Sequence, residues 1–88
     1  MSSDQSLTLD RVPPGVVCVI DEILNPPAAG GWPQRLEELG FLPGELVTVV
    51  ARGLPGGEPL AVRVGQSRFA LRRGEAACVQ VRHLKAVP

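Results

Sequence analysis

Tyrosine is absent from this chain, and among its 88 residues there are only one tryptophan, two phenylalanines, one histidine and two cysteines. Each shortage removes a class of function. With Trp32, Phe41 and Phe69 as the only aromatics, there is no set of rings to line a groove of the kind that grips proline-rich peptides. The lone histidine, His83, stands among basic neighbours with no Ser, Cys or Asp motif around it. A nucleophile needs a base within hydrogen-bond reach, so the chain is not expected to be an enzyme. Cys18 and Cys78 lie far apart in apolar surroundings and form neither a C-x-x-C motif nor a Cys/His pair at zinc-ligand spacing, which predicts buried or half-buried free thiols.

Charge of one sign is also missing. Nine Lys and Arg balance nine Asp and Glu, and without a basic excess a nucleic-acid partner is not expected. No apolar run reaches the roughly 20 residues that span a bilayer, so the chain is not expected to be membrane-embedded. Met1 to Ser6 has neither the basic nor the apolar region of a signal peptide, which leads to the expectation of a cytoplasmic protein. Gly30-Gly31 lacks the Lys and Ser/Thr that would hold a nucleotide. The pairs Asp21/Glu22 and Glu37/Glu38 are adjacent in sequence, so their side chains diverge in a strand or helix and read as solvated edges. A ferrous site needs several converging His or carboxylate ligands, and one His with scattered acids predicts no resident cofactor. For weak or adventitious divalent metal binding the candidate ligand is His83, completed by a carboxylate from a neighbouring chain.

What is present reads as one folded β-rich domain. A hydrophobic content of 44% with 20% charged residues is globular, and the length allows one core. Residues 1–6 read as a flexible tail, 7–83 as the domain and 84–88 as a second tail. Gly15 to Leu24 is a β-branched central strand. Asn25 to Gly31 is a Pro/Ala/Gly loop, after which Pro33, Leu36, Leu39 and Gly40 predict a short helix from about Pro33 to Leu39. Glu45 to Arg52, Leu60 to Val64, Phe69 to Leu71 and Ala77 to Val81 alternate as further strands, with Arg73-Gly74-Glu75 as a break. About five short strands with one helix inserted after the first long strand predict a mainly β fold, a small bent barrel.

Charge is unevenly spread along the chain. Seven of the nine acids, from Asp4 to Glu45, precede Arg52, and seven of the nine cations, from Arg52 to Lys85, follow them. Such polarity suits a partner held in one orientation.

Three motifs in order carry a resemblance. Arg35-Leu36-Glu37-Glu38-Leu39-Gly40-Phe41-Leu42-Pro43-Gly44-Glu45, then Pro55-Gly56-Gly57-Glu58-Pro59, then Phe69-Ala70-Leu71-Arg72-Arg73-Gly74-Glu75-Ala76 resemble the FeoA family over nearly everything from Leu7 to Val81. The resemblance implies an SH3-like barrel. It also implies an accessory protein of bacterial ferrous iron uptake, cytoplasmic and peripheral to the inner membrane, that binds the cytosolic part of a FeoB-like transporter and modulates it. A similar domain closes some iron-dependent repressors, so the alternative is a regulatory SH3-like domain acting in trans.

Each matching residue also has a structural role of its own. Gly40 and Gly44 serve a helix end and a turn, and Leu36, Leu39, Phe41, Phe69 and Leu71 suit a core. For partner binding, the candidates are Trp32, beside the flexible loop, with Arg35 and Leu39 on the helix and Arg72 and Arg73 at the rim. An unpaired barrel edge and His83 allow a weak or metal-mediated dimer. The Pro/Ala/Gly-rich stretch Asn25 to Trp32 and the basic tail from Arg82 to Lys85 depart from the family's plainer pattern.

Overall fold

The computed structural model describes residues 6–53 and 56–84. Six strands form one antiparallel sheet: β1 (Ser6–Thr8), β2 (Val17–Ile23), β3 (Leu46–Arg52), β4 (Leu60–Val64), β5 (Ser67–Leu71) and β6 (Val79–His83). Their order is β1-β6-β2-β3-β4-β5. The chain returns at its end to place β6 between β1 and β2, where Leu7 faces Val81 and Val19 faces Arg82. Register shifts between Ile20 and Glu22 and between Val49 and Ala51 bend the two longest strands and increase their twist.

The mainly β fold expected from the sequence is the fold observed, and it differs from that expectation in three details. The sheet has six strands and is not closed, since its order ends at β1 and β5. Ser6, placed in a tail by sequence, pairs with Arg82 in β1. The break at Arg73-Gly74-Glu75 is a helical turn, α2 (Arg73–Ala76). No Ser, Thr, Asp or Asn announces it, but Glu75 accepts the backbone N–H of Arg72 at 2.8 Å, which is the reciprocal half of a capping box.

The predicted helix is α1 (Trp32–Leu39), with Pro33 in its first turn. It ends because Gly40 adopts φ +112°, a left-handed conformation that L side chains rarely take. The Gly40 N–H donates to Glu37 O at 3.1 Å and the Phe41 N–H to Leu36 O at 3.0 Å, a Schellman motif. Its accompanying apolar contact joins Leu36 and Phe41, both fully buried. Phe41 also meets Phe69, with ring centroids 5.4 Å apart and planes tilted by 49°.

The core lies on the inner face of the sheet, where alternation places Cys18 and Ile20 of β2, Val47 and Val49 of β3, Leu60, Val62 and Val64 of β4, and Val79 and Val81 of β6. Leu9 and Val12 close it from a 3-10 turn (Leu9–Arg11) and the residue that follows, while α2 packs against that same turn. Arg52 clamps the region from below: its guanidinium donates to Asp10 O at 2.5 Å and Val12 O at 3.0 Å, satisfying two carbonyls of the irregular N-terminal segment.

Both cysteines are free and buried. Burial pushes both thiols above their ordinary value, and at Cys78 the Glu75 carboxylate adds to the effect.

Two glycines have no ready substitute. A Cβ at Gly53 would lie 2.3 Å from Glu58 O and 2.7 Å from its carbonyl carbon, both backbone atoms. Gly53→Ala is therefore expected to cost about 1–3 kcal/mol in urea denaturation through overpacking, and Gly40→Ala about 1–2 kcal/mol through the left-handed backbone. The thiols set a pH dependence. Because their folded values are raised, the contribution of these neutral buried groups is intact below the unfolded thiol value of about 8.5 and is lost as pH rises through the raised folded values. Denaturation midpoints measured across that range should fall on the alkaline side, and replacing both Cys18 and Cys78 with Ala should flatten the fall.

Candidate docking site around Trp32

Trp32 opens α1 and is half-buried, its ring resting against the core cluster. The loop before it is tied to the sheet at its start and folded on itself further along. The Leu24 N–H donates to Cys78 O at 2.7 Å, and the Ala29 N–H closes a 3-10 turn (Pro27–Ala29) onto Pro26 O at 3.0 Å. The Pro/Ala/Gly loop is thereby a wall standing opposite α2.

Between wall and α2 lies a groove of about 500 Å³. Pro26, Ala28, Ala29, Trp32 and Cys78 supply its apolar lining, and Glu58, Arg72, Gly74 and Glu75 its polar side. A second, more open depression of about 590 Å³ is bordered by Gly31, Trp32, Gln34, Arg35 and Glu38. The Arg35 guanidinium carbon sits 6.0 Å from the Trp32 ring centroid, at the outer limit of a cation–π contact.

The polar side of the groove is internally organised. Glu58 accepts the Arg73 backbone N–H at 2.6 Å, and the Arg73 guanidinium donates to Gly56 O, so the β3–β4 hairpin loop is tied to the start of α2. Glu75 is occupied with the Arg72 N–H. Arg72 thus extends an exposed cation over the groove, whereas the Arg73 guanidinium serves the hairpin loop.

Of the five residues singled out from sequence, the structure brings Trp32 and Arg72 to one groove and sets Arg35 in the second depression. Leu39 is half-buried against the core and lines neither depression. Sequence reasoning missed Glu58, Glu75 and Cys78. Glu75 had a readable signal, three residues beyond the start of a helical turn, while Glu58 and Cys78 arrive through tertiary contacts. The Cys78 thiol, held protonated by burial and by Glu75, approaches Gly74 O at 3.6 Å and acts as a groove wall.

His83 ends β6, exposed, opposite Cys18 in the register. Among the described residues no group of three or more His, Cys, Asp or Glu converges on one point. None of the described helices is long and apolar enough to cross a membrane.

Comparison with known proteins places this geometry. No curated protein sequence matches the chain. Among solved structures, FeoA from Stenotrophomonas maltophilia is 45% identical with a TM-score of 0.78, covering 85% of this chain and 88% of that one. That protein was crystallised with zinc and is described as a prokaryotic SH3 domain protein, with a suggested role as a ferrous iron transport activating factor. FeoA from Chlorobium tepidum is 26% identical with a TM-score of 0.73, covering 93% of this chain and 74% of that one. A manganese-dependent transcriptional repressor shares the fold at 16% identity and a TM-score of 0.77, covering 94% of this chain and 44% of its own. The FeoA domain family model matches residues 7–83, which takes in the helix, the hairpin loop and α2 that build the groove, and the chain therefore belongs to the FeoA family.

Proposed function

We propose that this chain is a non-catalytic accessory protein of ferrous iron uptake, which docks through the Trp32–Arg72 groove on the cytosolic part of a FeoB-type transporter and modulates it. Family membership supports the transport role, and the groove carries the docking reading. An apolar side chain of the partner enters between Ala29 and Trp32, and a partner carboxylate faces Arg72, which has no ion pair among the described residues. Arg35, 6.0 Å from the Trp32 ring centroid, and Leu39, half-buried against the core, lie outside the groove and need not touch the partner. Nucleotide hydrolysis belongs to the transporter. The protein acts in the cytoplasm and reaches the inner membrane through this contact. The likeness to the manganese-dependent repressor is one of fold alone, at 16% identity, and does not support a regulatory role in trans.

Divalent metal enters this reading only between molecules. His83 is exposed at the end of β6 and requires ligands from a second copy or a partner to complete a site.

Purified protein is expected to bind a detergent-solubilised FeoB-type transporter from the same organism. Trp32→Ala combined with Arg72→Ala should weaken that affinity by about tenfold or more, as expected when an aromatic anchor and a charged rim residue are both lost. An unchanged affinity in a double variant that keeps its thermal midpoint contradicts the groove as docking site. In sedimentation with added zinc, any metal-induced dimer should vanish in His83→Ala; a dimer that survives places the bridging ligands elsewhere.

A further inference from the structure

Isolated exposed apolar side chains are ordinary, but three of the most exposed here are neighbours on the outer face of the sheet, away from the core. Val17 is 40% exposed, Leu46 48% and Leu84 50%. Register brings them together: Val17 faces Thr48, Val19 faces Leu46, and the Leu84 N–H donates to Val17 O at 3.2 Å. Val17, Leu46, Thr48, Arg63 and Gly65 border a hollow of about 260 Å³. On its β4–β5 flank, Arg63 and Arg68 face each other as cross-strand partners, a like-charge juxtaposition that destabilises the sheet unless something answers it. Among the described residues the sole ion pair is Arg82–Asp21 at 2.6 Å, so the carboxylate of Asp21 is engaged with β6, and nothing acidic meets Arg63 or Arg68.

We infer that this outer face is a second docking surface, distinct from the Trp32 groove, whose occupant is an acidic amphipathic protein segment. Aliphatic side chains of that segment fill the hollow over Val17 and Leu46, and its carboxylates pair with Arg63 and Arg68. The chemistry argues against the other occupants. A second copy laid on the same patch brings its own Arg63 and Arg68 with it, adding cations to cations. An anionic lipid surface would meet short Val and Leu side chains on a sheet face, with no aromatic at the patch to enter the interface.

The test is a titration of the full-length ¹⁵N-labelled protein, followed by amide shifts at low salt. One probe is a synthetic helical peptide with Leu on one face and Glu on the other; the control has Lys in place of every Glu. The acidic peptide should shift the amides of Val17, Cys18, Leu46, Val47 and Arg63 while those around Trp32 stay in place. Arg63→Glu should weaken this binding by about tenfold, as should Leu46→Ser, and the Lys peptide should bind at least as weakly. Both substitutions are at exposed positions, and retained amide dispersion identifies a folded variant. The inference is overturned if the acidic peptide causes no shifts, if the Lys peptide binds equally well, or if the shifts fall at Trp32. It is also overturned if the free protein self-associates through this face, or if phosphatidylserine vesicles capture it while the acidic peptide does not. Failure here leaves the transporter-docking reading untouched, since that rests on the groove around Trp32, which has no lining residue in common with this hollow.

Discussion

Much of this structure hangs on how the chain leaves its helix. At Gly40 the backbone turns left-handed, the last carbonyls of α1 are satisfied by the Gly40 and Phe41 amides, and Leu36 and Phe41 are driven together into the core. Each of these buried side chains contributes about 1.5–3 kcal/mol relative to exposure. In a domain whose total stability is of order 5–15 kcal/mol, that pair is a substantial fraction of the whole. The same turn lets the Gly44 N–H reach Ile20 O at 2.8 Å and the Ile20 N–H reach Glu45 O at 2.9 Å, so helix, turn and central strand are locked as one unit. Trp32, at the other end of α1, is held where it is because its helix cannot rotate without withdrawing Leu36.

The groove beside Trp32 is assembled from parts distant in sequence, and the assembly is polar. Glu58 and Arg73 stitch the hairpin loop to α2, Glu75 caps the start of that helical turn, and the Leu24–Cys78 hydrogen bond fixes the loop opposite. Several groups that look available for binding in the sequence are thus committed to structure. What remains facing outward is an apolar cleft with one exposed guanidinium, a surface suited to an anchor side chain and a carboxylate. The sheet's other face repeats that chemistry on a flatter surface, with Val17 and Leu46 beside Arg63 and Arg68.

Most of the fold was legible because alternation and punctuation agree. The β-branched runs of β2 and β3, the spacing of Leu36 from Leu39 with Gly40 after them, and the turn residues between β4 and β5 each have one ready interpretation. The missing pieces failed for physical reasons. β1 is only three residues long and exists because β6 offers it an edge, which no local pattern reveals. A barrel was expected from the short strands and their turns and from the family resemblance, but closure depends on pairing between end strands, and β1 and β5 do not pair. α2 hid behind Gly74 and an Arg at its cap, both poor helix signals. Within the site, Trp32 stood out as a solitary aromatic and Arg72 as part of a motif. The different fates of Arg72 and Arg73 were not legible, since they turn on whether Gly56 lies within reach of a guanidinium. The adjacency of Val17, Leu46 and Arg63 likewise required the strand register.

On the docking proposal, the Trp32 groove is where this FeoA-family protein meets a FeoB-type transporter. The most direct measurement places the photo-cross-linking residue p-benzoylphenylalanine at Ala28, on the exposed wall of that groove, and irradiates membranes containing both proteins. The account expects a cross-linked product joining the protein to a cytosolic segment of a FeoB-type transporter, reduced when Arg72 is replaced. Cross-linking to soluble proteins alone, or transporter adducts only from a control probe at Leu46, outside the groove, would contradict it.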